Sequence, residues 1–349
     1  MSPQKVIISD QLDKTLEDAI SECEHDMIFM LADETTAKCC LPVVESYGCL
    51  KGARIIVIGS TDTHKDLTSL SHVWQELSEG KATRHTLLIN IGGGMVTDLG
   101  GFAASTFKRG INYINIPTTL LSMVDASVGG KTGINFMGLK NEIGVFNNAS
   151  SVILDTEFLK TLDVENMLSG YAEMLKHGLI SNDKMLSELL AFDVEKPDLA
   201  ELKRMVADSV AVKQRIVTED PTEKGIRKAL NLGHTAGHAF ESLALKRKPV
   251  LHGYAVAWGL IVELYLSAIK TGFPADKMRQ TVRFILDHYG KMDITCDDYP
   301  TLLELMTHDK KNVAGVINFT LLGKVGDILI NQTATKDEIY EAFDFYREG

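Results

Sequence analysis

The chain is poor in the features that would mark it as secreted, membrane-bound or nucleic-acid-binding. Its five cysteines, Cys23, Cys39, Cys40, Cys49 and Cys296, are odd in number and show no Cys-x-x-Cys spacing. That excludes an even disulfide framework and a zinc ribbon, and they read as reduced thiols in a cytoplasmic protein. The start, MSPQKVIISDQLDKTLEDAI, carries acids and no apolar core ahead of a small-residue cleavage site, so no export signal is expected. The longest apolar run, Tyr254 to Val262, stops at Glu263. It falls well short of the ~20 residues needed to span a bilayer and predicts a buried helix. Positive charge is also scarce: the formal net charge is −11, which disfavours nucleic acid or an anionic membrane as partner. An anionic small molecule would have to be met by cations gathered locally. Internal repeats and low-complexity linkers are absent too.

What is present is enough chain for two domains: 349 residues, 45% of them apolar. The first half alternates strand-like runs (Arg54 to Ile58, Thr86 to Ile91, Asn112 to Ile116, Val152 to Asp155) with helical stretches and turns rich in Gly, Pro or Asn. This predicts a parallel α/β domain over residues 1–160. From about Leu162 the periodicity becomes that of long helices: Met167 to Ile180, Asp198 to Val217, His234 to Lys246, Gly253 to Thr271 and Ala275 to Tyr289. Short strands at Val316 to Leu322 and Asp327 to Ile330 precede a closing helix near Lys336 to Tyr346. Residues 161–349 are therefore expected to form a mostly α-helical domain, with a cleft between the two domains.

Three segments carry candidate chemistry. Strand Thr86 to Ile91 runs into Gly92-Gly93-Gly94-Met95-Val96-Thr97-Asp98, a glycine-rich turn whose backbone amides suit a pyrophosphate, with a helix expected from Phe102 to Phe107. The Gly-x-Gly-x-x-Gly fingerprint itself fails at Thr97, so plain tight packing is an equal reading of this turn alone. Asp62 and Lys65, after another strand, could hold a ribose or adenine edge, but a solvated loop is the reading that the local sequence favours. Next, Gly129-Gly130-Lys131-Thr132 ends like a P-loop, but the spacing would require glycine at Asp125. What remains is Asp125, Lys131, Lys140 and Asn141 around a glycine turn, which reads as an anion pocket with one acid to orient a hydroxyl, the alternative being a lysine-bearing surface loop. Last, His234 and His238 share a helical face, between Tyr171-Ala172-Glu173-Met174-Leu175-Lys176-His177 upstream and Leu251-His252-Gly253 downstream. Two histidines and a carboxylate make a catalytic zinc set with open coordination positions. Glu173 and Lys176 share a face, usually the mark of an exposed ion pair, but the apolar stretch around them predicts burial. His177, one residue on, should point away.

Together these segments resemble the 3-dehydroquinate synthase family of sugar-phosphate cyclases. The resemblance runs from about Asp62 to Ile330 and rests on IGGGMVTDLGGF, PTTLLSMVDASVGGKTGIN, GYAEMLKHG and LNLGHTAGHAFE. It implies that residues 1–160 are a Rossmann-like parallel α/β nucleotide-binding domain and residues 161–349 a mostly α-helical metal- and substrate-binding domain, with Glu173, His234 and His252 as metal ligands, for Zn2+ or Co2+. It implies NAD+ on Asp62, Lys65, Gly93, Gly94, Asp98, Thr118, Thr119, Lys140 and Thr161. Asp125, Lys131, Asn141, Lys176 and His238 would act on the substrate, and Lys213, Arg227, Asn231 and Lys310 or Lys311 would bind it. Arg109 matches an arginine that such enzymes contribute across a homodimer interface. The implied reaction converts 3-deoxy-D-arabino-heptulosonate 7-phosphate to 3-dehydroquinate and phosphate in the shikimate pathway. It proceeds by transient oxidation with NAD+, phosphate elimination, re-reduction, ring opening and aldol closure. Where many relatives read His-Pro-Leu-Gly-Lys-Asn, this chain has Phe136-Met137-Gly138-Leu139-Lys140-Asn141, which keeps the lysine and asparagine. Rival readings are a cyclase for a substrate without a carboxylate, against which Lys213, Arg227 and Asn231 speak, a polyol dehydrogenase that releases NADH, and a non-catalytic descendant that would have lost a ligand.

Overall fold

A computed structural model describes residues 4–307 and 316–349. The chain divides into two compact units, one of residues 1–163 and 198–210, the other of residues 164–197 and 211–349. The sequence reading placed the break at 160/161.

In the first unit the strands are β1 (Lys5–Ile8), β2 (Ile28–Asp33), β3 (Arg54–Ile58), β4 (Leu87–Gly92), β5 (Asn112–Pro117), β6 (Lys131–Phe136), β7 (Leu139–Phe146) and β8 (Ser151–Leu154). Six of them form one sheet in the order β1-β8-β5-β4-β2-β3, all pairs parallel. The helices of this unit are α1 (Leu12–Ser21), α2 (Glu34–Cys39), α3 (Leu41–Val44), α4 (Leu67–Glu79) and α5 (Gly94–Thr106). A parallel sheet needs both faces covered, and β4, Leu-Leu-Ile-Asn-Ile-Gly, is buried along its whole length. Its one polar side chain, Asn90, is matched across to β5, where Asn115 Oδ1 accepts from Asn90 Nδ2 at 2.8 Å. A lone buried amide would cost a few kcal/mol; the pair removes part of that cost, while Asn90 Oδ1 stays buried with no hydrogen-bond partner.

Helix α5 begins at Gly94, directly off β4, rather than at Phe102 as expected. The low helix propensity of glycine hid the start, which burial of Val96, Thr97, Leu99, Gly100 and Gly101 supports instead. The Gly129-Gly130 turn, with φ of 104° and 69°, is followed by an antiparallel hairpin of β6 and β7 that pair with each other alone among the described residues. The sequence reading had no strands there.

The second unit holds α6 (Val164–Leu179), α7 (Asp183–Ala191), the C-terminal part of α8 (Leu199–Glu219), α9 (His234–Leu245), α10 (His252–Thr271), α11 (Ala275–Tyr289), α12 (Tyr299–Thr307), the hairpin β9 (Phe319–Lys324) with β10 (Asp327–Gln332), and α13 (Lys336–Glu348). Helix α10 is long and apolar enough to cross a membrane by composition, yet 72% of its apolar window is buried. It packs on α6, α9, α11, α13 and β9 as the core helix of the unit. Two glycines permit this. A Cβ on Gly253 would stand 1.9 Å from the backbone oxygen of Ser169 in α6, and one on Gly259 would stand 1.9 Å from that of Gly233, just before α9. Backbones at that separation tolerate no side chain.

Candidate metal and substrate site

These close approaches set the geometry of the helical unit's polar centre. Glu173 and Lys176 lie one turn apart on α6, 0% and 1% exposed, and Lys176 Nζ donates to Glu173 Oε2. The apolar neighbours Met174, Leu175 and Leu179 bury the pair, as the sequence predicts. Gly253 N donates to Ser169 Oγ at 3.1 Å, fixing the start of α10 on α6 and so placing His252 beside Glu173. On the other side, Gly233 adopts a left-handed conformation (φ 80°) and His234 opens α9.

The other carboxylate oxygen of Glu173, Oε1, is buried and has no hydrogen-bond partner. Two imidazole nitrogens face it: His234 Nε2 at 3.4 Å and His252 Nε2 at 3.6 Å. Each ring is held by its far side. His234 Nδ1 lies 3.1 Å from the Leu232 carbonyl, and His252 Nδ1 lies 3.4 Å from Glu241 Oε2. An orphaned carboxylate oxygen opposed by two ring nitrogens is a donor set that fits a divalent cation, and the three ligand atoms lie within 4.8 Å of one another. His238, Glu241 and His252 satisfy the same distance criterion, so the helix face that carries His234 and His238 brings both rings near the centre.

Burial alone would raise the Glu173 carboxyl, but the Lys176 ammonium and the His234 ring outweigh it and hold it well below the usual carboxylate range. For His252 burial would discharge the ring; Glu241, with Glu173, outweighs it and pushes the imidazolium up to about 10. A folded value above the unfolded ~6.5 means that, in the metal-free protein, this charge stabilises the fold fully below ~6.5, and the contribution is lost as pH rises through about 10. A metal competes with that same proton. Metal uptake near pH 8 is therefore expected to release about one proton from His252. Calorimetry in buffers of differing ionisation enthalpy counts it; a count near zero would contradict the arrangement.

Of three further buried side chains here, two escaped sequence reasoning and one was placed wrongly by it. Glu263, 0% exposed on α10, accepts from Gly233 N at 2.7 Å and Ala236 N at 3.1 Å, capping the start of α9 from a neighbouring helix. The signal was available, since Glu263 is the only acid in an otherwise apolar helix. Glu241 is the second. His177 is the third: it is 0% exposed with a ring nitrogen within 4.8 Å of a Glu173 carboxylate oxygen, so it does not point away as expected. A helix buried on nearly all sides leaves no outward face.

Of the proposed substrate residues in this unit, Lys213 is buried on α8. Arg227 and Asn231 sit on the short turn Ile226–Asn231. Asp220 shapes that turn by accepting from Lys224 N, Gly225 N and Arg227 N. Arg227 Nη1 donates to the Pro221 carbonyl at 2.6 Å, and Asn231 Nδ2 to Glu223 Oε1 at 2.8 Å. Lys310 and Lys311 lie outside the described residues.

In the α/β unit four of the cofactor candidates, Asp62, Lys65, Asp98 and Lys140, meet. Lys65, buried, lies 2.9 Å from Asp98 on α5 and 3.7 Å from Asp62, and Lys140 of β7 lies 3.6 Å from Asp62. Asn135 joins them, donating from Nδ2 to Asp62 Oδ2 at 3.0 Å. Burial keeps Asp98 above the usual carboxylate range even with Lys65 against it. At the start of α5, a Cβ on Gly93 would stand 3.2 Å from Thr119 and one on Gly94 3.1 Å from Ala126, while Thr118 N donates to the Gly92 carbonyl. The first intrahelical bond is Thr97 N to Gly93 O, so the amides of Gly94, Met95 and Val96 precede it at the strand's carboxyl end. That turn fits a dinucleotide pyrophosphate. Thr161 is exposed and bonds locally to the Phe158 carbonyl; no described hydrogen bond joins it to this group. Asp125 is half-buried on the turn Ser122–Ala126. Lys131 opens β6 and Asn141 sits on β7 with φ 51°, both exposed. Arg109 is exposed in a run of three left-handed residues, Lys108, Arg109 and Gly110 (φ 47°, 72° and 115°).

Comparison with known structures gives the architecture first. The chain has the two-part fold of 2-deoxy-scyllo-inosose synthase, solved with carbaglucose-6-phosphate, NAD+ and Co2+ (TM-score 0.85, 24% identity, covering 99% of this chain and 96% of that one). It is equally close to 2-epi-5-epi-valiolone synthase from Streptomyces hygroscopicus, with NAD+ and Zn2+ bound (TM-score 0.85, 22% identity, 100% and 98% covered). Sequence then places it within that architecture. Residues 55–169 match the 3-dehydroquinate synthase N-terminal model and residues 170–312 the C-terminal one. A 3-dehydroquinate synthase of Parabacteroides distasonis is 54% identical over 350 residues, covering 100% of this chain and 99% of the relative. The chain belongs to the 3-dehydroquinate synthase family.

Proposed function

We propose that the protein converts 3-deoxy-D-arabino-heptulosonate 7-phosphate to 3-dehydroquinate and inorganic phosphate, acting as a carbon-oxygen lyase in aromatic amino acid biosynthesis. Family membership supports the substrate. The observation that carries the chemistry is the buried, unpartnered Glu173 Oε1 with His234 and His252 turned toward it.

These three residues would hold Zn2+ or Co2+, which when bound supplies a Lewis acid that lowers the pKa of a substrate hydroxyl. Asp62, Lys65, Gly93, Gly94, Asp98, Thr118, Thr119, Lys140 and Thr161 would hold NAD+, which supplies a hydride acceptor restored within the same cycle. The side chains do the rest by binding and orientation. Lys176, rigid against Glu173, orients the oxygen of the carbon that changes oxidation state. Asn141, Asn231 and His238 hold the phosphate, whose own oxygen takes the adjacent C–H proton before it departs. Lys213, Arg227, Lys131 and a lysine of the Lys310-Lys311 pair neutralise the carboxylate and phosphate, with Asp125 orienting a hydroxyl. Arg109 of a second copy completes the phosphate site in a homodimer, presented by its left-handed backbone. Such positioning is worth several kcal/mol of barrier.

The test is to feed the heptulosonate phosphate to metal- and NAD-loaded protein and follow phosphate and NADH together. Phosphate release with no net NADH is expected. NADH accumulating on glycerol-like alcohols, with no phosphate released, would favour the polyol dehydrogenase reading.

A further inference from the structure

Glu241 is a buried carboxylate, 5% exposed, on a helix face where a charge is expensive to keep. Its oxygen meets the side of His252 that faces away from Glu173: Oε2 lies 3.4 Å from Nδ1, while Nε2 of the same ring lies 3.6 Å from Glu173 Oε1. One imidazole thus stands between two carboxylates. His234 follows the same plan with a neutral acceptor, its Nδ1 on the Leu232 carbonyl and its Nε2 toward Glu173. The described contacts behind the two rings differ in charge: a carboxylate behind His252 and a backbone carbonyl behind His234. His252 is also the first residue of α10, where no preceding turn restrains its side chain, so its angle must be set from outside.

We infer that Glu241 is the positioning residue of the metal centre. It accepts the Nδ1 proton of His252, fixes the tautomer that leaves Nε2 free for the cation, and raises the ring's strength as a donor. This rests on the reading that Glu173, His234 and His252 hold the metal. Glu241, His238 and His252 also converge, but a cation there would sit on the Nδ1 side of His252 and leave Glu173 Oε1 buried without a partner. The orphaned oxygen places the cation on the Nε2 side, with Glu241 behind the ring.

The test uses metal affinity and the ring's tautomer rather than turnover. Zinc is titrated into wild type and Glu241→Gln against a chromogenic chelator, with stoichiometry measured separately and Co2+ absorption recorded as a probe of the ligand set. The inference predicts one ion per chain in both proteins, the same tetrahedral Co2+ band shifted in position, and a dissociation constant raised about 10- to 100-fold in the variant. An unchanged constant overturns it. So does a variant that binds no ion, which would make Glu241 a ligand. Wild type that binds no ion removes the metal reading itself, and this inference with it. Should the variant fail to fold, zinc-loaded wild type with 15N-histidine still decides the matter. His252 protonated at Nδ1 with Nε2 shifted by the metal is the expected spectrum, and the opposite tautomer refutes it.

Discussion

Glu173→Gln, or His252→Ala, is expected to abolish turnover and metal binding together. Glu173 is the one side chain that both ring nitrogens face, and its Oε1 has nothing else to bind. Glutamine in the same volume replaces a charged donor with a neutral amide. Loss of the ion removes several kcal/mol of charge stabilisation from the oxidation step, so kcat should fall by at least ~10^3-fold. Metal analysis after dialysis and phosphate release on the same samples check both halves. Full turnover from a protein without bound metal would refute the ligand assignment.

Lys176→Met should be the second severe change, and it separates stability from chemistry. Lys176 and Glu173 are an ion pair with almost no exposure, and removing one partner of such a pair costs up to ~3–5 kcal/mol, reduced here because the His252 imidazolium, 3.6 Å from Glu173, still compensates part of the carboxylate charge. Denaturant unfolding of the metal-free protein should show that loss, and bound metal should recover part of it by supplying the missing positive charge. The pH dependence has a definite sign. Glu173 is held well below the ordinary carboxylate value, so in wild type the pair stabilises the fold at any pH above ~4.3 and gives way only as pH falls through the lower folded value. Without Lys176 the carboxyl rises, and acid instability should begin at higher pH. Turnover of the metal-loaded variant should fall ~10^2-fold or more through lost orientation of the reacting oxygen. Wild-type stability and kcat in Lys176→Met would contradict the account.

Periodic features were legible in the sequence and conditional ones were not. The strand Arg54–Ile58 and the helix Ala275–Tyr289 coincide with the structure because alternation and the 3.6-residue repeat need only local information. Strand β2 was missed although all but its first residue is buried, since a short continuous apolar run, Ile28 to Ala32, is as consistent with helix as with strand. The hairpin β6–β7 was missed for the opposite reason: Gly133, Gly138 and Gly144 dilute its alternation, and β7 is exposed along its length. In the metal centre, the separate pieces GYAEMLKHG and LNLGHTAGHAFE could be seen, but their meeting depends on Gly253 and Gly259 letting α10 touch two other backbones. No spacing encodes that contact. The roles of Glu241 and Glu263 depend on the same packing, each serving a helix other than its own.

The most direct test of the central claim is the position of the metal. Crystals grown with zinc and measured on either side of the zinc absorption edge should give one anomalous peak per chain, bonded at ~2.0–2.2 Å to Glu173 Oε1, His234 Nε2 and His252 Nε2. A peak bound instead by His238, Glu241 and His252, or none in protein that turns over, would contradict it.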